Sequence, residues 1–344
     1  GKGSIHSITL PTNIAVVDTA TFRGCKDLWE VKNFDKITHA RDSVFQNCAN
    51  LDKIDLSNVV IIDTLAFSGC KTRRPVLSSQ LDSINYQAFA NTGIDTLKLA
   101  RVSDIYLDDE AFKGCANLTT VVIGDKYSSE SLPTRAFWNC TALNRVTLEA
   151  SIKSIHEGAF KGCTSLTTFV IPEGVETLSR EAFMGCNKLR NITIPSTVKN
   201  IRDKAFAGDT LQSITAMPNT PPGLIENAFI SETYDNAKLY VNDVDLYKSK
   251  NPWSKFGSNI QANGKHTLKY MLNGEVYKTD GTAHTFQEMV GEAIEPMPEP
   301  IDPANENREF SGWQGEPESM PGKDVEVTGK FKYELKFSYA DDSE

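Results

Sequence analysis

Apolar and polar residues alternate along this chain in a short unit that is repeated end to end. The spacing Leu-x-x-Φ-x-Ile, where Φ is apolar, occurs at residues 166–171 and again at 189–194. Alternation of this kind is typical of a short strand that buries one face. A proline follows directly, at Pro172 and Pro195, and we expect it to end the strand because proline has no N–H for the ladder.

A phenylalanine, usually preceded by alanine, marks a second fixed position of the unit. It recurs at gaps of 22 to 25 residues, at Phe22, Phe45, Phe67, Phe89, Phe112, Phe137, Phe160, Phe183, Phe206 and Phe229. This regularity predicts a stack of coils, in which equivalent side chains of neighbouring coils form shared buried columns. In the segment Ala-Phe-x-Gly-Cys we expect a tight helical turn, with glycine or asparagine at positive φ.

Three parts of the array depart from the regular unit. Between residues 71 and 110 the pattern is weak, with Arg73 where a leucine is expected and Thr92 in place of a cysteine. The unit before Phe137 carries two extra residues near Tyr127–Pro133, which predicts a bulge in the loops. After Phe229 the repeat decays, and residues 216–262 predict an end-cap of one strand and a short helix that covers the last open edge.

Composition limits the classes of function. The net charge of −9 argues against non-specific nucleic-acid binding, which needs a basic surface. No stretch reaches the roughly 18 apolar residues of a membrane helix. The chain opens with Gly1-Lys2-Gly3 and no signal peptide, so we expect its natural N-terminus to lie upstream.

The cysteines follow the repeat. Cys25, Cys48, Cys70, Cys115, Cys140, Cys163 and Cys186 all stand three residues after a repeat phenylalanine, and Thr92, Asp209 and Glu232 take this position in other units. No CxxC or His-x-x-x-His spacing indicates a zinc site. Neighbouring coils bring such cysteines within reach of a disulfide, but seven is an odd number. We interpret them as a column of free buried thiols.

This pattern resembles the BspA-like class of bacterial leucine-rich repeats, whose hallmark is the unit with Ala-Phe-x-Gly-Cys. The resemblance covers about residues 4–262 and is strongest in the units ending at Cys140, Cys163 and Cys186. It implies a β-rich leucine-rich-repeat solenoid of about ten coils, with short strands and helical turns. In such arcs the strands line a concave face, where partners commonly bind. Residues 1–262, including the end-cap, are the predicted first domain.

A different pattern of residues begins near residue 263. Residues 267–272 and Val276-Tyr277 flank Asn273-Gly274, a strong hairpin signal, and residues 324–331 predict a closing strand. Gly274 to Lys278, Phe310-Ser-Gly-Trp313 and Met320-Pro321 resemble the Listeria–Bacteroides repeat, a small β-grasp-like module often found on bacterial surface proteins. The resemblance implies a second domain at 263–344. We interpret Phe310 and Trp313 as its core rather than as a sugar platform.

Outward strand positions supply the candidate binding residues. In the first third they are charged with mixed sign, and later they form a threonine-rich band. The candidate protein-binding residues on the expected concave face are Thr120, Val122, Arg145, Thr147, Thr168, Val170, Asn191 and Thr193. Mildly apolar, uncharged surface costs little to desolvate, which favours a protein-binding strip. Threonine and valine also simply suit exposed strand positions, and that alternative stays open.

Nothing in the sequence indicates catalysis, a cofactor or a metal. The acidic run Asp104, Asp108, Asp109 and Glu110 lacks the glycine-punctuated spacing of a calcium loop, and we interpret it as a solvated face. A carbohydrate hydrolase would need two carboxylates facing one cleft, and no such pair is suggested.

The two resemblances together imply a non-enzymatic bacterial protein, secreted or on the cell surface, that mediates protein–protein interaction or adhesion through its solenoid. Its partner would be a protein ligand, such as a host surface or matrix protein, and we expect a monomer. The alternative is a structural spacer or stalk that presents another module. A contiguous exposed apolar patch on the concave side would favour binding over the spacer.

Overall fold

The computed structural model describes residues 4–14, 16–99, 105–149, 151–225 and 227–264 in full, and beyond them the backbone of several strands up to Phe331. The chain divides into two compact units, Gly1–Gln261 and Ala262–Glu344. The first unit is a stack of coils with mostly short strands and few helices. The predicted leucine-rich-repeat solenoid is confirmed.

One row of strands carries the alternating apolar positions of the repeat. In chain order its strands are Ser7–Thr9, Glu30–Lys32, Lys53–Ile54, Thr96–Lys98, Thr120–Ile123, Arg145–Leu148, Asn191–Ile194, Ser213–Ala216, Lys238–Val241 and Ile260–Ala262. Within three separate sheets, each of the first nine pairs in parallel with a strand of an adjacent coil, but no described pairing joins Lys53–Ile54 to Thr96–Lys98 or Arg145–Leu148 to Asn191–Ile194. We call the outward side of this row the long-strand face. Pro195 directly follows Ile194 and its carbonyl oxygen accepts from Val198 N, which turns the chain as predicted.

A second row of two-residue strands runs along another side of each coil. It consists of His39–Ala40, Ile61–Ile62, Ser83–Ile84, Tyr106–Leu107, Ser131–Leu132, Ser154–Ile155, Thr177–Leu178, Asn200–Ile201 and Gly223–Leu224. These strands pair in parallel within a four-stranded and a five-stranded sheet. Their outward side is the short-strand face. The second residue of each strand is buried, apart from the half-buried Leu224 in the last one.

The repeat phenylalanines form one continuous column inside the solenoid. Rings of successive coils stack with centroids 5.3–5.8 Å apart and planes within 20° of parallel. Phe45 to Phe206 are fully buried, Phe229 nearly so, and Phe22 in the first coil is half-buried. An isolated coil could not shield these rings from water, so the stack is the unit of stability.

The segments around these phenylalanines are hydrogen-bonded turns rather than helices. Main-chain bonds join the turns of neighbouring coils, as from Phe160 N to Ala182 O at 2.8 Å. A left-handed residue two positions before each phenylalanine of the regular coils stops helix propagation, as at Glu110 and Glu181. The predicted tight turn is therefore correct, but its helical character is not.

From Gly24 to Gly162, glycine and asparagine alternate in the column two positions after the phenylalanines. In chain order its members are Gly24, Asn47, Gly69, Asn91, Gly114, Asn139, Gly162, Gly185 and Gly208, all with positive φ. The alternation has a steric cause. A Cβ added to Gly114 would lie 2.2 Å from Asn91 Oδ1, and one added to Gly162 would lie 2.3 Å from Asn139 Oδ1. We call these residues the Asn/Gly column.

All seven cysteines are free thiols, six of them buried and Cys25 half-buried. Each buried thiol donates a hydrogen bond to the main-chain oxygen of the phenylalanine in the preceding coil, at 3.0–3.3 Å. Burial raises the pKa of the Cys48 thiol to about 12, so the thiol stays protonated and able to donate. We call this row, including the residues that replace cysteine in it, the thiol column.

The irregular coils solve the same packing problem with other residues. Thr72, rather than a residue at position 73, is fully buried at the leucine position, and its hydroxyl donates to Leu51 O at 3.0 Å. In the longer coil, Tyr127 fills the extra space and donates to Ser131 O at 2.8 Å. The extra length that the sequence indicated is therefore absorbed by a buried tyrosine.

The end-cap is larger than predicted. It holds the helices Ser231–Asn236 and Val244–Ser249 and the 3-10 helix Trp253–Asn259, besides the strands Lys238–Val241 and Ile260–Ala262. Asp243 caps the second helix by accepting a hydrogen bond from Leu246 N at 2.9 Å. The rings of Tyr234 and Phe256 meet Phe229 edge-on at 5.8 and 5.9 Å and so close the phenylalanine column.

The second unit is described by its strands. Lys265–Leu272 pairs antiparallel with Glu275–Val276 and Thr285–Met289, and parallel with Val325–Phe331, which pairs antiparallel with Phe310–Gln314. A second hairpin joins Lys278–Thr279 to Thr282–Ala283. The predicted hairpin and closing strand are present, although the turn at 273–274 lies outside the described residues. So do the proline-rich run at 295–303, the pair 320–321 and the segment 333–337.

Candidate protein-binding face

The structure places the eight candidate residues on the long-strand face in two blocks. In the first block Arg145 pairs in register with Thr120, and Thr147 pairs with Val122. In the second, a bridge joins Val170 to Thr193, which shares its strand with Asn191. The described pairings do not join the two blocks, because Thr168 and Val170 have no partner on the strand Arg145–Leu148.

The break between the blocks coincides with a larger core residue. Phe169 is buried where neighbouring coils carry Val146 and Ile192. Its ring packs edge-on against Phe160 and Phe183, with centroids at 4.9 and 4.7 Å. Phe169 fills this position with a phenyl group, which needs more room than a branched aliphatic side chain, and the strand pairing is interrupted at this coil.

Exposure differs among the candidates. Arg145, Thr147, Thr168, Val170 and Asn191 are exposed, whereas Thr120, Val122 and Thr193 are half-buried. The relative exposure of Val170 is 50%, which is high for an apolar side chain on a strand. These exposed side chains lie at the junction of the two blocks, so the most accessible part of the face is around residues 145–170.

Arg145 is the one cationic residue among the eight candidates. Its side chain is exposed and makes no hydrogen bond or ion pair with the described residues. By contrast, Arg190 on the same face donates to Thr210 O at 3.0 Å. No acidic residue is among the eight candidates, so Arg145 can offer its guanidinium to a ligand without first losing a partner.

The N-terminal part of the long-strand face has different chemistry. Glu30 accepts from Ser7 Oγ at 3.3 Å and lies 3.6 Å from Lys32 Nζ. The Lys53 ammonium lies 4.8 Å from the ring centroid of Trp29, a cation–π contact. Trp29 is an exposed aromatic residue that the sequence interpretation did not include, because it precedes the strand positions considered. In this part of the face, Glu30 and Lys32 are paired with each other and Lys53 contacts Trp29.

The short-strand face carries side chains that the sequence did not single out. His39 Nε2 lies 2.6 Å from Asp63 Oδ2, and Asn85 Nδ2 donates to Asp63 Oδ1 at 3.0 Å. Tyr86 and Tyr106 are exposed on adjacent coils. The spacing of about one repeat between His39, Asp63 and Asn85 was the available signal, because residues one coil apart in sequence become neighbours in the stack.

A network of ion pairs surrounds Trp138 on the side of the turns. Glu110 is paired with Lys113 at 2.9 Å and with Arg135 at 3.3 Å, and Arg135 also reaches Glu157 at 3.3 Å. Burial alone raises the pKa of Glu110, but the hydrogen bonds from Lys113, Gln87 and Arg135 lower it below its usual value. The network joins successive coils. Its carboxylates are engaged in ion pairs with lysine and arginine side chains of this chain.

The described side chains of the acidic run make structural hydrogen bonds and ion pairs. Asp108 Oδ1 accepts from Asp109 N at 2.8 Å, Asp109 Oδ1 accepts from Thr134 N at 2.7 Å, and Glu110 is buried in the network above. The prediction of a solvated face is thus wrong for Glu110, and residue 104 lies outside the described residues. Within the described part of the chain, no three His, Cys, Asp or Glu residues are grouped so as to hold a metal ion.

Among the described residues, no helix is both long and apolar enough to cross a membrane. That the long-strand face binds a partner stays a prediction at this point. The positions of its residues are now fixed by register, exposure and charge.

Solved structures of repeat proteins are similar to this chain. A leucine-rich repeat protein from Bacteroides ovatus is 24% identical, with a TM-score of 0.61 over 69% of this chain and 64% of that chain. A leucine-rich cell surface protein from Faecalibacterium prausnitzii is 22% identical, with a TM-score of 0.31 over 62% of this chain and 88% of that one. The pneumococcal vaccine antigen PcpA is 20% identical, with a TM-score of 0.41 over 75% and 77%.

The likeness to the Bacteroides structure supports the solenoid fold, and this chain spans 64% of the length of that protein. A search of curated proteins gave no significant match. The family model described as the BspA-type leucine-rich repeat region matches residues 1–118 and 105–234, in six copies. These residues hold the phenylalanine, thiol and Asn/Gly columns. The chain therefore belongs to the BspA-type leucine-rich repeat family.

Proposed function

We propose that this chain is a non-enzymatic protein of the bacterial surface or secreted space, and that its long-strand face binds a protein ligand. The observation that carries the proposal is the exposed junction around residues 145–170. It combines an apolar side chain at 50% exposure, Val170, with uncharged neighbours and the unpaired guanidinium of Arg145.

The energetic reason is desolvation. Threonine and valine side chains give up little on leaving water, whereas charged side chains pay a large cost unless a partner replaces their hydration. Thr147, Thr168 and Val170 therefore form a surface that another protein can cover cheaply. Arg145 adds direction, because its planar guanidinium binds a carboxylate in a fixed geometry. We expect the ligand to place an acidic side chain there.

The second unit supports the proposed location. Its resemblance to the Listeria–Bacteroides repeat rests on Phe310-Ser-Gly-Trp313 and the other matching segments, and that module is often found on bacterial surface proteins. In the structure this segment forms the strand Phe310–Gln314, paired with Val325–Phe331. The assignment of residues 263–344 to that module, and the role of the protein in adhesion to host surface or matrix proteins, are parts of the proposal.

Binding is tested with two charge reversals that differ only in their place. The whole chain is immobilised and exposed to surface and extracellular proteins, and each captured protein is identified and measured by titration. Arg145→Glu should weaken binding at least tenfold, since it replaces attraction of a carboxylate by repulsion. Arg202→Glu, the matched control at an exposed position beside the short-strand face, should leave binding unchanged.

Val170→Asp tests the apolar part of the same surface and should also weaken binding, while circular dichroism confirms that each variant is folded. If every captured ligand binds the Arg145 and Val170 variants as well as the original chain, the long-strand face is not the binding surface. If no ligand is captured by any form, the spacer becomes the better account of the solenoid.

A further inference from the structure

The buried cysteines of the thiol column donate hydrogen bonds to main-chain oxygens of the repeat phenylalanines, and Thr92 and Asp209 are buried members of the column that are not cysteines. The hydroxyl of Thr92 donates to Phe89 O of its own coil at 2.9 Å, whereas each buried thiol donates to the phenylalanine of the preceding coil. Asp209 stands at the same position one coil after Cys186, whose thiol donates to Phe160 O at 3.3 Å. An ionised carboxylate has no proton to donate, so Asp209 breaks the rule of the column unless it is protonated.

For Asp209, the cost of burying a charge outweighs the influence of the nearby main-chain amides that favour the ionised form. The residue has no exposed surface, and neither carboxylate oxygen has a hydrogen-bond partner among the described residues. Asp209 forms no ion pair within that part of the chain. In the following coil, Thr233 donates to the main-chain oxygen of Asp209 at 3.4 Å and not to its carboxylate.

The groups nearest to Asp209 are already engaged. The amides of Gly185 and Cys186 lie close by, but they donate to Ala207 O at 2.9 Å and Phe183 O at 3.1 Å. The titratable group that faces Asp209 from the preceding coil is the thiol of Cys186, which is buried and protonated; from the following coil the uncharged Thr233 faces it. Burial raises the pKa of Asp209 to about 8.

We propose that Asp209 is a neutral carboxylic acid in the folded protein, where it takes the place of a cysteine and donates a hydrogen bond to the main-chain oxygen of Phe183. The junction between the last coils and the end-cap is then most stable in mildly acidic solution and weakens as the pH rises. The device lies in the core and is independent of the proposed binding face.

The sign follows from proton linkage. An exposed aspartate of the unfolded chain has a pKa of about 4, whereas the buried one keeps its proton up to about pH 8. Between these values the folded state binds one proton more than the unfolded state, so each rise of one pH unit costs stability. Below the lower value both states hold the proton, and above the upper value neither does, so the slope vanishes outside this window.

The test compares urea unfolding of the full chain between about pH 5 and pH 7.5 for three forms: the original chain, Asp209→Asn and Asp209→Cys. Relative to either variant, the unfolding equilibrium constant of the original chain should rise by up to tenfold per pH unit. Asp209→Cys restores the column and keeps the experiment decisive if Asp209→Asn does not fold. Parallel pH profiles for the original chain and Asp209→Cys would overturn the proposal.

Two further measurements separate this device from a general effect of removing a carboxylate. Asp82→Asn removes an exposed carboxylate and should leave the pH profile unchanged. The infrared spectrum of the folded original chain at about pH 6 should contain the carbonyl band of a protonated, buried carboxylic acid, and Asp209→Cys should lack it. Absence of this band from the original chain would show that Asp209 is ionised and that the proposal is wrong.

Discussion

The interior of the solenoid and its long-strand face are carried by the same strands, yet their residue types behave in opposite ways. Inside, one phenylalanine recurs in every coil, each ring stacked on the next. Outside, equivalent strand positions change from Lys98 to Val122, Thr147 and Val170 within four coils. Each interior side chain must pack against the equivalent side chains of the coils before and after it, whereas an outward side chain meets water. Any binding specificity of this protein must therefore come from the outward residues of its strands.

The largest effect is expected from breaking the interior. Phe160→Ala removes a fully buried ring that contacts Phe137, Phe169 and Phe183, and should cost about 3–5 kcal/mol of unfolding free energy. Thr168→Ala on the face should change it by less than about 0.5 kcal/mol. Denaturant unfolding followed by circular dichroism measures both. Similar losses for the two variants would contradict the distinction between interior and face.

A smaller effect is expected in the Asn/Gly column. Gly114→Ala places a Cβ against Asn91 Oδ1 in a residue at φ +72°, and should cost about 1–3 kcal/mol. Gly24→Ala is the control, because Gly24 has a similar φ of +74° and nothing within 4 Å of its added Cβ. Unfolding of the double variant Asn91→Gly with Gly114→Ala should recover part of the loss. If the double variant recovered none of the unfolding free energy, the whole loss in Gly114→Ala would be due to backbone strain and not to the contact with Asn91.

The smallest effect is expected in the ion-pair network around Trp138. The pKa of Glu110 is lowered in the folded chain, so its contribution to stability is present above the ordinary pKa of a glutamate and is lost as the pH falls through its lowered pKa. Urea midpoints measured between about pH 6 and pH 3 should fall more for the original chain than for Glu110→Gln. Glu149→Gln, at an exposed position, should fall in parallel with the original chain.

The fold was predictable from the sequence because its cause is periodic. Any residue that recurs every 22 to 25 positions meets its own copies in a stack, so the phenylalanine and thiol columns could be derived before any coordinates. Irregular coils were harder. Arg73 seemed to occupy a core position, but Thr72 fills it because this coil is shorter. Likewise Thr233, and not Glu232, is buried, because the helix Ser231–Asn236 replaces the turn there.

The candidate face was predictable only as a row. Alternation along the strands identified which side chains point outward, but not the break in strand pairing between its two blocks, where Phe169 lies. Contacts between coils were also hidden. The pairing of His39 with Asp63, and the unpaired state of Arg145, depend on which neighbours lie one coil away and how they turn. Such contacts need coordinates because a one-residue change in coil length alters every partner.

The alternation of asparagine and glycine has a consequence for how this array can change in length. From Asn47 to Gly162 the column repeats every two coils, so deleting or duplicating a single coil there would set asparagine on asparagine, or leave a glycine without the side chain it accommodates. From Gly162 onward three glycines follow one another, and single coils can be gained or lost without that conflict. Between Asn47 and Gly162 the solenoid can therefore change in length only by pairs of coils, whereas beyond Gly162 it can change by single coils.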